Sequence, residues 1–169
     1  MLSICIDYND FLACGGSVDL FSIIGSDNLG FKEFNGKLAL KKATYAWKTQ
    51  KKLAKFNLAP KVIGKVCKVK AKEDEKEWTS NWGYITELVH TREQYSYTAI
   101  EKLVNDIKSK TNLKFWDCHD SNIGILKNRL VCIDTGSESF DRDCNAWGFR
   151  EPGPRCVDCN KYQCSCCDY

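Results

Sequence analysis

Phe115-Trp116-Asp117-Cys118-His119-Asp120-Ser121-Asn122 runs into two short apolar segments, 123–126 and 130–133, and then into Asp134-Thr135-Gly136. Lys127-Asn128 separates the apolar segments where a tight turn would go, so the spacing predicts a β-hairpin. A hairpin brings its ends together, which sets Asn122 beside Asp134. An amide oxygen and a carboxylate at that point are hard oxygen ligands of the kind that suit Mg²⁺. Asp117, in the loop just before, is then placed to face a hydroxyl and take its proton. Taken singly, these residues are ordinary turn polarity, because Asp and Asn favour turns for local hydrogen-bonding reasons. The combination carries the chemistry.

Upstream of this stretch, Ile100, Leu103, Val104 and Ile107 share one face of a helix predicted over 98–110. A second helix is predicted over 37–56. Ala39, Ala43, Ala46, Gln50 and Leu53 form its apolar stripe, interrupted only by Gln50, and Pro60 discourages its continuation. Residues 1–36 read as short strands and turns, with a strand over 20–24, a turn-rich segment over 25–30 and a half-buried strand over 31–34. Alternation leaves open whether Lys32 or Glu33 faces inward. Residues 61–69 and 82–89 read as strands, and 73–77 as a charged loop.

With these elements in order, the chain resembles the protein-kinase-like superfamily, particularly its atypical and aminoglycoside-phosphotransferase-like branches. The motifs are Asp117-Cys118-His119-Asp120-Ser121-Asn122 and Val131-Cys132-Ile133-Asp134-Thr135-Gly136, and the resemblance covers roughly residues 20–140. It is also similar to the small kinase-like proteins that bacteriophages encode. The resemblance implies an α+β, minimal two-lobed protein-kinase-like fold: a small antiparallel N-lobe sheet with its helix (1–89), a truncated helical C-lobe with catalytic loop and metal-binding hairpin (90–143), and a Cys-rich tail (144–169). By it, Asp117 is the catalytic-loop aspartate, His119 a brace of that loop, and Asn122 and Asp134 the Mg²⁺ ligands. The turn from Gly25 to Gly30 covers the nucleotide phosphates, Lys32 pairs with them, and the backbone near Glu87 and Leu88 receives adenine. Where the family's helix offers a Glu to the lysine, this chain has Gln50, and Thr135 stands where the family has Phe. The implied activity is transfer of the γ-phosphoryl of ATP, with Mg²⁺, to a hydroxyl on a protein or small molecule. A catalytically dead pseudokinase that binds a nucleotide or a partner is the alternative within the fold.

Composition bounds these readings. The 169 residues are 43% hydrophobic, enough to bury a core, which excludes wholesale disorder. No apolar run is long enough for a transmembrane helix, and the first residues do not read as a secretory signal, so no membrane partner is expected. Net charge is only +3, yet residues 37–72 hold twelve lysines and no acid, so the rest of the chain carries −9. Such a block suits a solvated face or an anionic partner, including nucleic acid. The eleven cysteines are an odd number, which without a signal points to reduced thiols and a cytoplasmic setting, that of the host for a phage-encoded chain. Cys156, Cys159, Cys164, Cys166 and Cys167 can supply four thiolates to a tetrahedral Zn²⁺, with Cys144 as a substitute. A basic, zinc-stapled nucleic-acid-binding protein is therefore a further alternative.

Overall fold

The computed structural model describes residues 4–14, 18–91 and 94–140. The expected zinc-binding cysteines from Cys144 onward lie outside the described residues. The elements follow in the order β1 (Cys5–Cys14), β2 (Val18–Ile23), β3 (Ser26–Phe34), α1 (Ala39–Ala54), β4 (Val62–Cys67), β5 (Lys70–Glu73), β6 (Lys76–Thr79), β7 (Gly83–Glu87), α2 (Tyr97–Thr111), β8 (Ile123–Leu126), β9 (Arg129–Cys132) and a short α3 (Ser137–Phe140). The fold is α+β: a curled seven-stranded sheet in the order β4-β7-β3-β2-β1-β5-β6, a separate β8–β9 hairpin, and few helices. No helix among the described residues is long and apolar enough to cross a membrane.

The sheet is larger than the small antiparallel one expected, and it is mixed. β1 runs parallel to β5, with Ile6 opposite Ala71. β5 and β6 form a hairpin across the stretch expected to be a charged loop. Lys72 faces Glu77 and Glu73 faces Lys76 across it. The buried Ala71, opposite Trp78 which packs on Tyr8, anchors this edge hairpin, whose charged composition periodicity reads as solvated loop. The segment expected as a turn over 25–30 is mostly the first half of β3, and only Ile24 and Gly25 turn.

The two faces of the sheet have different cores. Phe21, Phe31 and Ile85 pack on the back with Ile6, Ile23, Val69 and Ala71, where the curl through β5 covers them. On the other face Phe34 and Tyr84 meet Ala39, Ala43 and Ala46 of α1. The small side chains of the predicted stripe let the helix approach the sheet closely. Gly83 fixes the β3–β7 register, since a Cβ there would lie 2.2 Å from the Lys32 carbonyl oxygen.

A third cluster joins Leu53 and Leu58, at the end of α1, to Ile100, Leu103 and Ile107 of α2 and to Phe115, Ile123, Cys132 and Phe140. Each large aliphatic side chain buried this way contributes about 1.5–3 kcal/mol. The β8–β9 turn has Lys127 at φ 49° and Asn128 at φ 63°, the positive pair a two-residue hairpin loop demands. The Cys132 amide donates to the Leu58 carbonyl at 2.9 Å, and Ile125 pairs with His90. The hairpin is thus tied both to the end of α1 and to the chain leaving β7.

Candidate functional site

The sheet and the β8–β9 hairpin enclose a cavity of about 820 Å³. Its lining includes apolar side chains, Leu12, Val18 and Leu20 of β1 and β2 with Pro60 and Ile133, and polar ones, Lys32, Lys42, Asn122, Asp134 and Glu138. Residues 86–89 line it as well. A lining that mixes apolar walls with a few charged groups is that of a small-molecule site.

Of the residues singled out in the sequence, Lys32, Asn122 and Asp134 line the cavity, whereas Asp117 and His119 are not among its lining and stand behind Asn122. The Asn122 amide nitrogen lies 3.0 Å from both the carbonyl and Oδ2 of Asp117, to which it donates, and 3.0 Å from His119 Nε2. With its nitrogen turned to Asp117, Asn122 keeps its carbonyl oxygen for a ligand. His119 Nδ1 meets Ser121 Oγ at 2.6 Å, and Nε2 lies 3.4 Å from Asp117 Oδ1. His119 therefore braces the loop from both ring nitrogens. Bonding to the Asp117 carboxylate raises its pKa above the ordinary imidazole value, with partial burial opposing.

Asp134 sits directly after β9. Its Oδ1 accepts from the Gly136 amide at 2.9 Å, and its Oδ2 accepts from Ser139 Oγ at 2.7 Å. Each oxygen keeps a lone pair, so the carboxylate is oriented without being consumed. One carboxylate and one amide oxygen lining the same cavity are donors of the kind that suit Mg²⁺, which takes one or two protein ligands and completes its shell with phosphate oxygens and water. Among the described residues no group of three or more His, Cys, Asp or Glu is gathered to hold a metal on its own.

Lys32 is half-buried and faces this cavity, whereas Glu33 faces the back of the sheet. The Lys32 ammonium donates to the Ile133 carbonyl. Burial lowers its pKa, and the negative charge of Asp134 works against that shift. Gln50 does not meet Lys32. It is fully buried between α1 and β7. Its nitrogen donates to the Pro60 carbonyl at 3.0 Å and to Thr86 Oγ1 at 2.6 Å, while its oxygen accepts from the Tyr84 hydroxyl at 2.8 Å. Thr135 Oγ1 lies 3.5 Å from that oxygen and 3.1 Å from the Ala46 carbonyl, to which its one hydroxyl proton goes. The two positions where the chain departs from the family motifs are therefore one polar network, which fastens the Asp134 loop to α1.

The remaining sequence candidates fall at the other end. Gly25 tips the β2–β3 turn with φ +81° and nothing within 4 Å of its Cβ position, and Gly30 packs under Leu88 and Leu20. Neither lines the cavity, although Asp27 and Asn28 between them do. The amides of Glu87 and Leu88 are already bonded, to the Lys61 carbonyl at 3.0 Å and the Asn28 carbonyl at 2.9 Å. The Glu87 carboxylate accepts from the Lys61 amide at 2.9 Å. Sequence reasoning missed Lys42, Glu138 and the β1–β2 wall. The only signal for Lys42 was helical phase, since it neighbours the buried Ala43 on α1.

Comparison with protein-family models, with curated proteins and with solved structures finds no match to this chain.

Proposed function

We propose that the chain is a minimal two-lobed, protein-kinase-like phosphotransferase that binds ATP with Mg²⁺ in this cavity. The observation that carries the reading is the convergence of Lys32, Asn122 and Asp134 on one cavity, with Asp117 held against Asn122. In protein kinases the phosphate-binding lysine lies on the third strand and the metal ligands are an Asn of the catalytic loop and an Asp after it. Lys32 lies on β3, and the other two residues follow in that order.

On this reading the adenine enters the cavity beside residues 86–89 and the phosphates lie over Lys32. Asn122 and Asp134 hold Mg²⁺, which supplies charge neutralisation at the phosphates. Asp117 orients the acceptor hydroxyl and takes its proton as the oxygen–phosphorus bond forms and the bond from the γ-phosphorus to the bridging oxygen breaks, leaving ADP. Such catalysis rests on positioning and charge stabilisation. Thermal shift with ATP, Mg²⁺ and both, on wild type and Asp134→Ala, tests it. The expected outcome is a Mg²⁺-dependent rise in Tm that the variant loses. No rise in wild type under any condition overturns the reading.

Two observations favour other readings. Gln50 gives Lys32 no carboxylate partner, which suits a pseudokinase that binds nucleotide or partner without transfer. Eleven of the twelve lysines in residues 37–72 are exposed, and among the described residues only Lys42 of that block forms an ion pair. That surplus charge suits a nucleic-acid partner, whose affinity would fall steeply with salt. A zinc-stapled tail would add to that reading.

A further inference from the structure

The cavity is lined by two lysines, and the proposed function uses only one. Lys42 projects from the first turns of α1 into the lining that also holds Lys32, Asp134 and Gly136. Its ammonium lies 3.8 Å from Glu138 Oε1, with the two side chains 32% and 51% exposed. Such a pair is loose and solvated, and an exposed ion pair contributes little to stability. It is therefore poor at holding the fold and easy to exchange. The other eleven lysines of the block are exposed, whereas Lys42 is half-buried. Its neighbours Ala39, Ala43 and Ala46 are buried against the sheet, so helical phase directs Lys42 to the edge where α1 meets the Asp134 loop.

We infer that Lys42 forms a terminal-phosphate subsite, with Glu138 as its resting partner. The inference rests on the nucleotide reading above and extends it. Lys32 sits on β3 under the strand wall, and Lys42 approaches from the helix side, so a polyphosphate lying between them meets a cation on each flank. Glu138 then gives up Lys42 to a more highly charged anion. Lys42 is a positioning and binding residue for the last phosphate, so it separates a triphosphate from a diphosphate.

Isothermal titration calorimetry of the whole chain tests this, with Mg²⁺ and either ADP or a non-hydrolysable ATP analogue. Lys42→Ala should weaken the triphosphate analogue about tenfold and leave ADP within about twofold, because one charge-assisted contact is lost. Lys42→Arg should retain most of the preference. Glu138→Gln should tighten the triphosphate severalfold by removing the competing carboxylate. If wild type binds neither nucleotide, the nucleotide reading itself fails and the subsite falls with it. If wild type binds both and Lys42→Ala weakens both equally, or neither, the nucleotide reading stands and the subsite is overturned.

Discussion

Lys32 and Glu33 are consecutive residues on β3, yet they meet opposite surroundings. Glu33 is 2% exposed on the back of the sheet. Its Oε2 accepts from the Tyr8 hydroxyl at 2.5 Å and its Oε1 from the Asn81 amide at 2.5 Å. Tyr8 is itself clamped between Phe21, stacked at 4.3 Å, and Trp78 at 4.8 Å. The charge is enclosed and fully used. Lys32 points the other way: among the described residues its ammonium donates to a backbone carbonyl, lies 6.0 Å from the centroid of the Tyr84 ring and feels the charge of Asp134, with no carboxylate in ion-pair contact. One face of the sheet spends its polar residue on the fold. The other keeps a cation at a cost in desolvation that an anionic ligand would offset. A charge that structure does not use is the better guide to function.

The largest test of this contrast is on the cavity side, at the network behind Lys32. Gln50→Glu restores the residue the family motif carries, but here it replaces both donors to Pro60 and Thr86 with an acceptor, in a site with no exposure. Burying an unpaired acceptor or charge should cost about 3 kcal/mol or more, seen as a lower urea midpoint. If the variant is as stable as wild type, the bonds from Gln50 to Pro60 and Thr86 do not hold this network.

Next in size is the back face. Glu33→Ala leaves the Tyr8 hydroxyl and the Asn81 amide without their acceptor, and should cost about 2–3 kcal/mol. At temperatures where the variant is folded, its Mg²⁺-nucleotide affinity should match wild type. Lys32→Ala should do the reverse, losing nucleotide affinity with little loss of stability. Equal effects of the two variants on both readouts would dissolve the contrast between the faces.

The smallest effect concerns pH. The folded pKa of His119 is raised above its ordinary 6.5 by Asp117. The stabilisation is therefore full below about pH 6.5 and is lost as pH rises through the folded value. With the His119 side chain 37% exposed, solvent screening limits this to about 0.5 kcal/mol or less. The Tm difference between wild type and His119→Gln should shrink over that rise, and a constant difference would remove the His119–Asp117 bond from the account.

Much of the fold is legible from periodicity. The stripe of Ala39, Ala43, Ala46, Gln50 and Leu53 is buried as read, the alanines against the sheet and Leu53 in the core it shares with Ile100, Leu103 and Ile107. The β8–β9 hairpin and its turn are where the apolar runs and Lys127-Asn128 place them. The β5–β6 hairpin was hidden because its exposed residues are mostly charged, as in a loop, and its anchors are single apolar residues, Ala71 and Trp78, whose partners lie on β1. β1 pairs in parallel with a strand more than sixty residues away, and no local signal encodes that partner.

The sequence alone determined the helices, the hairpin, and the closeness of Asn122 to Asp134, because each follows from local periodicity and turn chemistry over a few residues. Tertiary structure alone decided that Lys32 faces the cavity while Glu33 is sealed behind it, since alternation is symmetric and only the covering of both faces breaks that symmetry. It also decided that Gln50 serves Pro60, Thr86 and Tyr84 and not Lys32, and that Lys42 lines the same cavity. These depend on how α1, β7 and the Asp134 loop pack together, and packing is a property of elements distant in the chain.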